Sequence, residues 1–350
     1  MKIALCSSFV PFVFGGARLI VEWLETKLLE HGHAVERVYL PFVEAPDRLL
    51  AQMTAYRLLD LTETADRVIA FRPPAHVIPH PDKVLWFIHH IRVFYDLWDS
   101  PYRPVPDAPP GRALRDRLMA ADGVALREAK RVFTNSRVVS ERLRRFNGVG
   151  SEVLYPPVFD PGRFHSPGRD EDYGDEIVYV CRVEHHKRQH LLVEAMAHVR
   201  SPVRLRLCGS AGNPAYADNL RARVAALGLG DRVRFEDRWI SEAEKAAALS
   251  TALAAAYLPL DEDSYGYPSL EASHARKPIL TTTDSGGVTE LVEDGLNGLV
   301  CDPDPRALAE AMDRLHRERA RTRDMGHAAE RRVGELGITW DRVLERLTAP

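Results

Sequence analysis

Asp263 and Glu271 bracket the stretch D-S-Y-G-Y-P-S-L-E, with seven residues between the two acids. The turn around Gly266 leads into Pro268, and a helical stretch is expected from about Ser269. A helix opening at Tyr267, Pro268 and Ser269 would aim its first backbone N–H groups at a ligand. Pro268 suits that first turn because it has no N–H to lose. A strand is expected from Pro278, and a Gly-Gly turn and Glu290 follow. Carboxylates suit hydroxyl groups and backbone N–H groups suit phosphate, so this segment reads as a pocket for a sugar carrying a diphosphate.

A second constellation lies upstream. Arg182 and Lys187 stand five positions apart, directly after the strand expected at 177–181. Two cations at the C-terminal edge of a strand can converge on one diphosphate and neutralise charge on a departing phosphate. His89 and His90 close the expected strand V-L-W-F-I, where an imidazole can meet a substrate, but the spacing leaves open which ring points inward. Gly15-Gly16 follows the first expected strand and is not a G-x-G-x-x-G. It reads either as a close backbone approach to a phosphate or as a flexible turn. Asp261-Glu262-Asp263 resembles an Asp-x-Asp metal motif, yet no third ligand stands in spacing, so no metal is expected. His185-His186 falls in the diphosphate loop.

The elements that must position these groups alternate. K-I-A-L-C is a strand, a helix runs from about Ala17 to His31, and A-V-E-R-V-Y-L is the next strand. That is a parallel βαβ unit. Further strands are expected at 66–71, 83–88 and 131–134, with Ser136 capping the helix that follows. A second set begins near Glu176 and continues through strands at 203–209, 233–235, 254–258 and 278–280. The segment 156–176 between the sets is rich in Pro, Gly and Asp and reads as a linker. The expected organisation is α/β: two Rossmann-like, doubly wound domains facing a central cleft. They occupy 1–165 and 166–335, and a C-terminal helix at 336–350 packs back toward the first.

Composition bounds the partners. The 350 residues are 45% hydrophobic and 28% charged, with a net charge of −3, which argues against a dedicated nucleic-acid binder. No apolar run is long enough to span a bilayer. The N-terminus reads as a strand and not as a signal peptide, and four dispersed cysteines suggest reduced thiols, so a cytoplasmic protein is expected. Arginines concentrate between 112 and 145. They form either an ordinary solvated helical surface or a basic face for peripheral contact with a membrane at its inner side. Aromatic residues cluster at Phe9, Phe12, Phe14, Phe94, Tyr95, Trp98 and Tyr102, and suit either a sugar or lipid-linked acceptor or the core.

Several of these motifs, in this order, resemble the retaining, GT-B-fold glycosyltransferases of family 4. G-G-A-R-L-I-V-E-W-L-E resembles the family's Gly-Gly loop and first helix. V-F-T-N-S and V-L-Y-P-P-V-F-D-P-G-R-F resemble the end of its first domain. C-R-V-E-H-H-K resembles Gly-Arg-Leu-x-x-x-Lys with Cys181 in place of Gly, and D-S-Y-G-Y-P-S-L-E-A resembles Glu-Gly-Phe-Gly-Leu-Pro-x-x-Glu-Ala. The resemblance implies a metal-independent hexosyltransferase that uses a UDP- or GDP-linked sugar as substrate, in bacterial polysaccharide or glycoconjugate synthesis. It implies that Arg182 and Lys187 hold the diphosphate, Glu271 the ribose and Asp263 the sugar. His89 would lie near the sugar's 6-position, and Gly15 and Gly16 near the diphosphate. Gly209, Gly266, Tyr267, Pro268 and Ser269 complete the donor-binding set, with Trp239 and Ile240 against the base. Two departures stand out: the first acid is Asp with Glu262 beside it as a rival, and Leu258-Pro259-Leu260 replaces the usual Pro-Ser. Alternatives are a nucleotide-sugar epimerase on the same fold and a non-catalytic sugar-nucleotide-binding protein.

Overall fold

In the computed structural model, residues 1–11, 15–164 and 173–350 are described. Two compact units emerge: residues 1–156 with 338–350, and residues 157–337. The domain boundary expected at 165/166 and the aromatic residues Phe12 and Phe14 lie outside the described residues.

The first unit comprises β1 (Lys2–Phe9), α1 (Gly16–Glu30), β2 (Ala34–Pro41), α2 (Leu49–Arg57), β3 (Arg67–Ala70) and β4 (Lys83–Phe87). It continues with α3 (Pro109–Arg127), β5 (Arg131–Thr134), α4 (Arg137–Asn147) and β6 (Glu152–Val153). All pairings are parallel, in the order β2-β1-β3-β4-β5-β6. The strand period of two divides the buried residues between the faces. Ala4, Cys6, Val68, Ala70, Leu85 and Phe87 enter one cluster. Ile3, Leu5, Ile69, Val84 and Trp86 enter the other. Both faces are covered, as a parallel sheet requires. Ser136 caps α4, its side chain accepting from Val139 N.

The second unit holds β7 (Glu176–Val180), α5 (Gln189–Met196), β8 (Arg204–Cys208), α6 (Pro214–Ala226), β9 (Val233–Glu236) and α7 (Glu242–Ser250). Then come β10 (Ala254–Ala256), α8 (Tyr267–His274), β11 (Ile279–Thr282), α9 (Val288–Leu291), β12 (Gly298–Cys301), α10 (Pro305–Arg317) and α11 (Arg319–Glu335). Its sheet order is β12-β11-β10-β7-β8-β9, with every pair parallel. The strand order reverses between β7 and β10. In such open sheets a ligand site forms beyond the strand C-termini at that reversal. The candidate cations follow β7 and the candidate acids follow β10.

The last helix, α12 (Trp340–Thr348), belongs to the first unit. Val343, Leu344 and Leu347 pack with Ile20, Val21, Leu24 and Leu28 of α1. Two guanidiniums satisfy carbonyls at its end: Arg67 donates to Leu347 O and Ala349 O, each at 2.8 Å, and Arg131 donates to Arg346 O at 3.1 Å and to Ala349 O.

Arg131 is therefore taken up by this docking, and other arginines of 112–145 are also engaged. Arg115 donates to Phe94 O and lies over Trp98, Arg142 pairs with Asp96, and Arg112 pairs with Asp107. The arginine cluster is thus partly a set of internal ties. Phe94, Tyr95 and Trp98 are core residues, whereas Tyr102 is exposed.

Candidate nucleotide-sugar site

The start of α8 is built around Gly266. Its φ of 71° is in the left-handed region, and a Cβ there would run into the Tyr257 ring. No side chain caps the helix, and Pro268 occupies its first turn. Ser269 is fully buried; its N–H donates to Gly266 O at 3.2 Å, and its hydroxyl has no partner among the described residues. Tyr267 is half-buried, and burial raises its hydroxyl pKa.

The acid loop before it rests on the Gly-Gly turn. Asp261 N donates to Asp284 O at 2.9 Å, and Gly287 N donates to Glu262 O at 2.9 Å. A Cβ on Gly287 would lie 2.6 Å from Ser264 Cα, and one on Gly286 would lie 2.6 Å from Glu262 N. These two glycines let one backbone lie against another. Gly209 has a similar reason: its φ is 149°, and a Cβ would overlap the Cys181 carbonyl, so β8 ends pressed against the residue that leads into Arg182.

Lys187 is buried. Its ammonium donates to Tyr257 OH at 2.9 Å and forms an ion pair with Glu262, and the same tyrosine OH donates to Glu262 at 3.1 Å. Tyr179 OH donates to Lys187 O at 2.5 Å and accepts from Leu258 N at 3.1 Å, tying the loop after β7 to the loop after β10. Arg182 is half-exposed, 3.9 Å from Glu184. The charges share one locale. Burial, then Lys187, then Arg182 push the His186 imidazole down to about 4, with Glu262 opposing. Burial pushes the Cys181 thiol up to about 12 against the pull of Lys187 and Arg182. Lys187 thus takes Glu262, the rival acid, as an ion-pair partner. Asp263 is half-buried beside it.

Glu271 occupies a second station. It is 5% exposed and accepts from Lys245 Nζ at 2.7 Å; Lys245 also reaches Glu242 at 2.9 Å. Trp239, 66% exposed, precedes Ser241, the cap of α7, which carries Lys245; Ile240 is buried. Burial raises the Glu271 carboxyl to about 7 against the opposing pull of Lys245, with Glu242 adding to the rise and Arg163 lowering it. A carboxyl raised on folding stabilises the native state below its unfolded pKa, and that contribution is lost as pH rises through the folded value. Wild type should therefore lose about 2–3 kcal/mol relative to Glu271→Gln between pH 5 and pH 8. Paired urea titrations at the two pH values measure this. An unchanged difference would mean that Glu271 is already ionised at pH 5.

The remaining candidates lie in the first unit. His90 is buried, with Nε2 2.9 Å from Asn147 Oδ1 and its ring 4.2 Å from that of Tyr95. It is a core residue, which leaves His89 as the half-buried candidate of the pair. His89 Nδ1 lies 2.7 Å from His90 O and so carries a proton, and burial followed by Arg72 pushes the ring down to about 4. Neutral at pH 7, it presents Nε2 as an acceptor. Gly15 precedes α1 in an extended conformation with no described atom within 4 Å of a Cβ, and Gly16 is exposed. Among the described residues, local packing gives no reason for glycine at 15.

Arg188, Lys245, Tyr179 and Tyr257 were not anticipated from the sequence. Arg188 fastens the acid loop: it donates to Leu258 O at 2.8 Å, Pro259 O at 2.9 Å and Thr282 Oγ1 at 2.8 Å, and makes a bidentate pair with Asp284. Among the described residues, no three His, Cys, Asp or Glu side chains converge as a metal cluster.

Residues 166–332, nearly the whole second unit, match the model of the glycosyl transferases group 1. This segment, just under half of the chain, is similar to that family. Among curated relatives, the human alpha-1,3/1,6-mannosyltransferase ALG2 is 25% identical over 290 residues, covering 77% of this chain and 68% of that one. The alpha-maltose-1-phosphate synthase of Mycobacterium tuberculosis is 32% identical over 215 residues, 57% of this chain and 54% of the synthase. Its match thus spans about half the length of that enzyme. The crystal structure of Anabaena Alr3699/HepE in complex with UDP covers 100% of both chains with a TM-score of 0.73 at 19% identity, a likeness of fold. The chain thus shares the two-domain α/β GT-B architecture, and Arg182, Lys187 and Glu271 all fall within the matched segment.

Proposed function

We propose that this chain transfers a sugar from a nucleoside diphosphate donor to an acceptor hydroxyl with retention of anomeric configuration. The observation that carries this reading is the placement of Arg182 and Lys187 after β7 and of Glu271 after β10, on either side of the strand-order reversal. The relatives act on sugars by name, and the Anabaena structure holds UDP.

In this mechanism Arg182, Lys187 and the backbone at the start of α8 stabilise the leaving diphosphate, whose own oxygen takes the acceptor proton. Asp263 orients the transferred sugar, Glu271 holds the ribose, and Trp239 offers a face to the base. The two cations meet the diphosphate charge, so the reaction needs no divalent metal. The acceptor is a sugar or a lipid-linked sugar in polysaccharide or glycoconjugate assembly. The exposed arginines of α3 and α4 support peripheral contact with an anionic membrane at its cytoplasmic side. Among the described residues, no helix is long and apolar enough to cross a membrane.

The test is a thermal-shift screen with UDP-, GDP- and ADP-sugars, followed by turnover of the stabilising donor with and without candidate acceptors. The expected result is acceptor-dependent release of nucleoside diphosphate, an α-configured product from an α-configured donor, and no loss of rate in EDTA. Acceptor-independent conversion of the donor's sugar would sink the reading.

A further inference from the structure

The ammonium proposed to hold the donor diphosphate already has an anion. Lys187 and Glu262 form an ion pair inside the second unit, and Tyr257 OH bonds to both. The Lys187 side chain is 9% exposed and that of Glu262 26% exposed. The Glu262 backbone is fixed: its N–H donates to Ser285 O at 3.3 Å, and its carbonyl accepts from Gly287 N. The carboxylate ends a flexible side chain that already touches solvent, whereas Lys187 is enclosed. Of the two, Glu262 is the one that can leave.

We propose that Glu262 is a built-in counter-ion occupying the phosphate seat of Lys187, and that a donor diphosphate must displace it to bind. This rests on the donor-site reading above. A carboxylate and a phosphate cannot share one ammonium without mutual repulsion in a site largely closed to water. The empty site is thereby kept neutral, and the carboxylate sets how weakly a nucleoside diphosphate is held. A moderate affinity favours release of the product diphosphate, a step that limits turnover in many enzymes. Lys187 accordingly holds the Glu262 carboxyl below its usual range although burial alone would raise it.

Calorimetric titration with UDP, GDP and inorganic pyrophosphate tests this on wild type, Glu262→Gln and Glu262→Asp. Glu262→Gln should bind pyrophosphate and the preferred nucleoside diphosphate at least tenfold more tightly. Glu262→Asp, whose carboxylate is drawn back by one methylene, should shift the same way by less, which covers the case in which the glutamine variant does not fold. Unchanged or weaker pyrophosphate binding in the folded variants overturns the proposal. If no variant, wild type included, binds any of the three probes, the donor-site reading itself fails.

Discussion

Lys187→Ala is expected to lower donor turnover by about 10²–10³-fold, the cost of removing one preorganised group from a developing charge. The same substitution leaves Glu262, half-buried, without its cation. Loss of stability and loss of chemistry would then appear together, and a single variant could not separate them. The double variant Lys187→Ala, Glu262→Gln does separate them. It removes the unpaired charge and should recover most of the lost unfolding free energy, because removing both partners of a largely enclosed pair costs less than removing one. It should recover none of the lost kcat. A double variant that regained activity along with stability would make Lys187 a structural residue and move the leaving-group role to Arg182. Arg182→Ala alone should slow turnover less. Its side chain is half-exposed, and water partly screens it.

Most of the strands, and helices such as α1 and α8, were legible because each announces itself within ten or fifteen residues; β6, β12, α2, α6 and α7 were not foreseen. The strands of the first sheet read as apolar runs, and α1 shows Ile20, Leu24 and Leu28 at helical spacing. Gly266 and Pro268 announced the start of α8 for the same local reason. The cations after β7 and the acids after β10 were also readable, since a parallel α/β sheet exposes its functional loops at the strand C-termini. Partnerships across the sheet were not legible. Lys245 meets Glu271 across 26 residues, and Tyr257 meets Lys187 across 70. Residue spacing carries no trace of such pairs. Lys245 sits on α7, whose start is fixed by a Ser241–Glu244 capping box. The ion pair of Lys187 with Glu262 was equally hidden. Asp261 has a φ of 45°, so the acid loop is irregular there and side-chain alternation cannot be projected through it. The Gly286-Gly287 pair was readable as a turn, but its contact with the acid loop appears only in three dimensions.

Arg188→Ala is expected to destabilise the second unit by about 3–5 kcal/mol, the cost of leaving a buried, hydrogen-bonded charge network without its centre. The guanidinium holds two carbonyls, one hydroxyl and a carboxylate that otherwise belong to separate loops. Its hydrogen bonds hold Asp284 below the usual carboxylate range although burial pushes the other way. Arg188→Lys should recover little, because an ammonium cannot span acceptors arranged for a planar fork. The backbone supplies an internal control. Arg188 sits at φ 55°, a left-handed conformation that costs a side-chain-bearing residue roughly 1–2 kcal/mol. Arg188→Gly removes the same guanidinium and relieves that strain, so it should be the milder of the two truncations by about 1 kcal/mol. Hydrogen exchange across β10 and β11 reads the effect where the network is anchored, with protection falling more in the alanine variant than in the glycine one. Donor KM should rise in both, since Leu258 and Pro259 lead directly into the acid loop. Equal protection in wild type and Arg188→Ala would mean that Tyr179 and the Gly286-Gly287 contact suffice to hold that loop.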